Sequence, residues 1–213
     1  MSSGKNSIKL IAFDLDGVLV DGRGSWDELH DALGTSKLSE INENDFYAGK
    51  ITFDEWAKRD VKLWHGVEIK KIEAIFKKTK LMKGAPETLK TLKEKGYKLA
   101  IVSGGLKTLA DIVGEKFQID FVAANEFIVK DGKVSGIMNI IDMDGKGIAL
   151  EKIATKNNLK GKNCAAVGDF FNDIPMFKFA GFSIAFNPKV PEIVEIADKA
   201  IYEKDLTLIL EFF

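Results

Sequence analysis

Residues 8–17 read Ile8-Lys9-Leu10-Ile11-Ala12-Phe13-Asp14-Leu15-Asp16-Gly17, an apolar run that stops abruptly at two carboxylates and a glycine. The run has almost no alternation of polar and apolar residues, as expected of a strand buried on both faces inside a parallel sheet. The same form returns twice. Residues 99–102 run into Ser103-Gly104-Gly105, and residues 165–167 run into Gly168-Asp169. Parallel strands that end in small and acidic residues present their chemistry along one edge, at their C-terminal ends. Residues 121–124, 183–186 and 199–202 are candidates for further strands.

Helical patterns fill the intervals. Pro86 and Gly96 bracket a helix over 87–95 with Leu89 and Leu92 on one face, and 106–117 and 147–158 read as helices too. This rhythm predicts an α/β fold with an open, doubly wound, mostly parallel sheet. Residues 127–136 carry Asp131-Gly132 between alternating residues, which predicts a β-hairpin. Residues 21–82 break the rhythm. They show Trp26, Leu29 and Leu33 at helical spacing, then Ile69, Ile72, Ile75 and Phe76, and no buried strand. About 60 residues are too many for a simple crossover. The expected organisation is a core of residues 1–20 and 83–213, with residues 21–82 inserted as a helical cap that governs specificity.

Composition narrows the function. The 213 residues suit one large domain, or a domain with a smaller insertion. With 31 basic and 32 acidic residues the net charge is -1, so no nucleic-acid footprint and no polybasic membrane patch is expected. No window approaches the ~20 apolar residues of a membrane span, and residues 1–7 read as a loose polar leader. The single cysteine, Cys164, allows no intramolecular disulfide and suits a reducing compartment, so a cytoplasmic location is expected. Cys164 is expected to pack as a small hydrophobe.

Each candidate site residue has two readings. Asp14 and Asp16, at a strand end that turns into a glycine loop, can reach one site, where they repel unless a cation or a shared proton intervenes. Magnesium, which takes carboxylate and carbonyl oxygens, is the natural cation; a solvated acidic turn is the alternative. Asp169 and Asp173 form a second acidic cluster, with N-capping by Asn172 or Asp173 as the competing reading. Ser103-Gly104-Gly105 offers a hydroxyl and backbone N–H groups as an anion cradle, or is an ordinary turn. Lys146 stands at a predicted helix start, where a cation is unfavourable with the dipole unless an anion is near. A plain surface lysine is the alternative.

Taken together, Asp14-Leu15-Asp16-Gly17-Val18, Ser103, Lys146 and Gly168-Asp169-Phe170-Phe171-Asn172-Asp173 resemble the four motifs of the haloacid dehalogenase-like phosphatases, in order. Residues 102–105, 129–133, 150–154 and 176–178 are similar to the phosphoserine phosphatase branch. The resemblance implies a parallel strand order of 3-2-1-4-5 and a Mg2+-dependent phosphoric monoester hydrolase acting on a small-molecule phosphomonoester. Asp14 would be the nucleophile and form a phospho-aspartate. Asp16 would be the general acid and base, with a carboxyl pKa raised by bound phosphate. Ser103, the Gly104 N–H and Lys146 would hold the phosphoryl oxygens, and Asn172 would touch phosphate or substrate. Asp14, the Asp16 carbonyl and Asp169 would bind the metal, with Asp173 supporting its water shell.

In that branch a Glu and an Arg of the cap recognise the substrate ammonium and carboxylate. Here Arg23 or Gly24 falls at the Glu position and Asp60 at the Arg position, with Arg59 one residue earlier. Arg23, Arg59 and Asp60 are therefore the candidate substrate residues, and a small phosphate with an extra anionic group for Arg23 is one expectation. Trp56 and Trp64 are expected in the cap core, and His30 and His65 in structural or surface roles. A phosphotransferase or mutase, and a non-catalytic phosphate-binding regulator, are the alternative functions.

Overall fold

The computed structural model describes residues 7–138 and 141–213; residues 1–6 of the expected leader lie outside them. Among the described residues a seven-stranded sheet runs in the order β4-β3-β2-β1-β5-β6-β7. The strands are β1 (Leu10–Phe13), β2 (Lys98–Leu106), β3 (Phe121–Lys130), β4 (Lys133–Met138), β5 (Cys164–Gly168), β6 (Phe182–Phe186) and β7 (Lys199–Ile201). Only β3 and β4 pair antiparallel. The parallel strands β3-β2-β1-β5-β6 reproduce the expected 3-2-1-4-5 order, and β7 extends it in parallel.

The unbroken apolar character of β1 has a direct cause. All four residues are buried; Ile11 and Phe13 enter one core, and Leu10 and Ala12 the core on the opposite face. β2 and β5 behave alike, with Ile101 and Val167 on the first face and Val102 and Ala166 on the second. Cys164 is fully buried in the second core, as expected of a small hydrophobe.

Three boundaries differ from the sequence reading. Residues 121–124 and the first arm of the hairpin are one strand, β3, which pairs in parallel with β2 through Asn125 and antiparallel with β4 from Glu126. Asn125 allows this continuity because its buried amide donates to Gly104 O and Ile141 O, both at 2.9 Å. Ser103-Gly104-Gly105 lies inside β2, across a register shift, rather than after it. Helix α7 (Gly145–Lys156) starts two residues earlier than the predicted 147, so Lys146 falls in its first turn.

Helices α1 (Ser25–Leu33), α2 (Ser36–Tyr47), α3 (Phe53–Lys62) and α4 (Ile69–Phe76) lie between β1 and α5 (Ala85–Glu94). Thr52 and Glu55 form a reciprocal capping box that starts α3. The segments leading in and out pair with each other: Met82 N donates to Leu19 O at 2.9 Å and Asp21 N to Lys80 O at 2.8 Å. The hairpin braces the same helices. Gly66 N and Val134 O, and Val134 N and Val67 O, are bonded at 2.9 Å. Trp64, fully buried, packs edge-on against Phe127 of β3 with ring centroids 6.0 Å apart. Helix α6 (Lys107–Phe117) follows β2 directly.

Candidate active site

The C-terminal ends of β1, β2 and β5 meet at one end of a cavity of about 340 Å³ whose other walls come from α1, α2 and α3. Asp14 is the first residue past β1, with Asp14 N bonded to Val167 O at 2.9 Å and Oδ1 accepting from Leu15 N at 2.7 Å. The chain then turns at Gly17, whose φ is 85°. A Cβ there would lie 2.0 Å from Asp169 Oδ2, so only glycine fits between the two acidic segments.

Lys146 is completely buried between Asp14 Oδ1, at 2.9 Å, and Asp173 Oδ1, at 2.5 Å. Burial alone would drive off its proton, but Asp14 and Asp173 more than offset that and hold its pKa above the ordinary lysine value. The lysine at a helix start thus has its anions. Asp173 Oδ2 accepts from Asp169 N at 2.8 Å and Phe170 N at 3.0 Å. It fixes the turn after β5 rather than capping the helix α8 (Ile174–Phe179).

Asp14, Asp169 and Asp173 bring carboxylate oxygens within 4.8 Å of one another. Burial raises the carboxyl pKa of both Asp169 and Asp173, and the negative charge of Asp14 adds to it. Three crowded carboxylates suit a cation, and an all-oxygen donor set suits a hard divalent ion. The Asp16 carboxylate is not in this group. It turns to the start of α1, where Ser25 N donates to Oδ1 at 3.0 Å and Ser25 Oγ to Oδ2 at 2.9 Å. Burial, then the charge of Asp14, pushes the Asp16 carboxyl up to about 6, against the Ser25 hydrogen bonds.

Ser103, Gly104 and Asn172 line the same end of the cavity. The Gly104 carbonyl is held by Trp26 Nε1 at 3.1 Å and Asn125 Nδ2 at 2.9 Å. Asn172 Oδ1 is buried without a hydrogen-bond partner. The three candidate substrate residues do not stay together. Asp60 lines the cavity and is 2% exposed. Arg23 reaches the rim but pairs with Asp31, and Arg59 pairs with Asp45 away from the cavity, at 3.1 Å. Asp31 thus already engages the guanidinium that was expected to await an extra substrate anion.

Sequence reasoning missed several residues. Lys189 pairs with Asp169 Oδ2 at 2.7 Å; it follows β6, so the rule that strand ends carry chemistry could have found it. Ser25 had no signal beyond its place before a helix. His30 and Trp56 were expected in structural or packing roles, yet both line the cavity; Trp64 is fully buried in the hydrophobic core and His65 is exposed.

A parallel sheet that gathers buried acids and a lysine at its strand ends is an α/β fold with a site suited to a divalent cation and an anionic group. The haloacid dehalogenase-like hydrolase family model matches residues 8–181, and the chain belongs to that family. It is 38% identical to the phosphoserine phosphatase of Methanocaldococcus jannaschii over 96% of this chain and 97% of that one. It is 33% identical to that of Lactococcus lactis over 95% and 94%. A phospho-aspartyl intermediate analogue of a phosphoserine phosphatase superposes with a TM-score of 0.83 at 37% identity, covering 97% of this chain and 99% of the other. The chain is an enzyme, a phosphoric monoester hydrolase of this family.

Proposed function

We propose that the chain hydrolyses a small phosphomonoester by way of a phospho-aspartate on Asp14, with Mg2+ as cofactor. The observation that carries this reading is Lys146, buried between Asp14 and Asp173 at the mouth of the strand ends. Asp14, Asp169 and the Asp16 carbonyl would hold Mg2+, with Asp173 supporting its water shell, and the ion would offset the repulsion between an anionic nucleophile and an anionic phosphate.

Asp14 attacks phosphorus, forming a carboxylate–phosphorus bond as the bond to the ester oxygen breaks. That oxygen takes the proton of Asp16, whose raised pKa keeps a share of the free enzyme protonated near pH 6. Water then attacks the phosphoryl group, gives its proton to the Asp16 carboxylate, and releases phosphate with Asp14 restored. Ser103, the Gly104 N–H, Lys146 and Asn172 bind the phosphoryl oxygens. Helices α1–α4, within residues 21–82, act as the cap, admitting substrate and shutting out water.

Phosphate release from a panel of phosphomonoesters, with and without Mg2+ and beside Asp14→Asn, tests the reading. Release that needs both the metal and Asp14 is the expected result; equal release from Asp14→Asn would sink it.

A further inference from the structure

The part of the cavity lined by α1, α2 and α3 is rich in carboxylates. Asp27, Glu43 and Asp60 line it, one from each of α1, α2 and α3. Partial burial raises the Asp27 and Glu43 carboxyl pKa values; Arg23 and His30 pull Asp27 back in part, and Asp60 adds to both shifts, so the three acids act on one space. Asp60 accepts from Asn42 Nδ2 at 2.7 Å on Oδ1. His30, 2% exposed, has its Nδ1 hydrogen-bonded with Thr35 Oγ1 at 2.7 Å. Its buried Nε2 has no hydrogen-bond partner, with Asp60 Oδ2 at 3.3 Å but out of line.

Of the lysines and arginines that line the cavity, Arg23 alone acts on one of these acids, Asp27. Lys146 and Lys189 stand at the phosphate end, held by Asp14, Asp173 and Asp169. Arg23 turns to Asp31, with its side chain 68% exposed. Aromatic rings complete the wall: Phe53 lies edge-on to Trp56 at 6.0 Å, and Tyr47 is 6.2 Å from the same indole.

We propose that this wall receives a positively charged group, so that the substrate is an aminoalkyl phosphomonoester with an ammonium and no carboxylate. The inference rests on the phosphatase reading above and names its substrate class. An ammonium entering here meets carboxylates and the faces of aromatic rings, both of which attract it. A substrate that also carried a carboxylate would set that group against three acids, with Arg23, already paired with Asp31, as the one guanidinium at the rim.

The test compares kcat/KM of the Mg2+-loaded enzyme for phosphoethanolamine, phosphocholine, phosphoserine and glycerol phosphate. The expected result is a preference of about tenfold or more for at least one amine over glycerol phosphate, with phosphoserine no better than glycerol phosphate. Asp27→Asn and Asp60→Asn should each lower the amine preference by about tenfold, the size of one charge–charge contact in a partly screened site. Hydrolysis of glycerol phosphate that depends on Asp14, with no amine preference or with phosphoserine preferred, would overturn the inference and leave the phosphatase reading standing. If no ester is hydrolysed, the phosphatase reading fails. Titration calorimetry of phosphocholine against glycerol phosphate on Asp14→Asn then decides the pocket: tighter phosphocholine binding supports it and equal binding overturns it.

Discussion

Asp16 shows how one residue's environment sets its protonation, on which its proposed role as acid depends. Its carboxyl is pushed up by burial and Asp14 and pulled down by the Ser25 hydrogen bonds, settling at about 6. The Ser25 donors favour the ionised form, so Ser25→Ala raises the Asp16 pKa. The proton needed by the leaving oxygen then persists to higher pH, and the alkaline limb of kcat/KM moves up by roughly half to one pH unit. A pH–rate profile checks this; a limb that stays or moves down contradicts it. Ser25→Ala also orphans Leu106 N, now bonded to Ser25 Oγ at 3.0 Å, at a cost of about 1–3 kcal/mol in stability. Lys146→Ala should lower kcat by about a hundredfold or more, as expected for removing a buried electrostatic group from a phosphoryl site. These core residues were legible in the sequence because each follows an apolar strand or opens a helix. Ser25, Asp27 and Glu43 were not: their neighbours come from other helices, and nothing local separates them from the chain's other serines and acids.

At the scale of elements, the strands and α5 were legible because burial on both faces, and Pro86 with Gly96, leave local marks. The continuity of β3 was not, since it depends on Asn125 finding carbonyls at Gly104 and Ile141, far along the chain. The hairpin's grip on the cap helices was equally silent, being made by backbone groups at Gly66, Val67 and Val134. Trp64 joins these elements, with the His30 ring tilted against it at 4.4 Å between centroids and Phe127 edge-on at 6.0 Å. Trp64→Ala should cost about 3–5 kcal/mol of stability through the cavity it leaves. It should also raise KM, because His30 loses its support at the cavity wall. Denaturant unfolding and steady-state kinetics read the two effects, and a KM unchanged in a folded variant would contradict the link.

For the whole molecule, pH, metal and stability are linked through the acids. Asp16, Asp169 and Asp173 all have carboxyl pKa values raised in the folded chain. The folded state therefore binds more protons than the unfolded one above the ordinary aspartate pKa near 4, and stability of the metal-free chain falls as pH rises through about 6. A divalent ion offsets the burial and the neighbouring negative charge that raise the Asp169 and Asp173 values, so Mg2+ should raise Tm more at pH 7.5 than at pH 5. A larger gain at pH 5 would contradict this linkage. The central claim is that Asp14 carries the phosphoryl group. It is tested most directly by acid-quenching the Mg2+-loaded enzyme during turnover of para-nitrophenyl phosphate and mapping the modified peptide by mass spectrometry. The expected result is a phosphoryl group on Asp14 that is absent from Asp14→Asn; turnover by Asp14→Asn, or a phosphoryl group on another residue, would contradict the account.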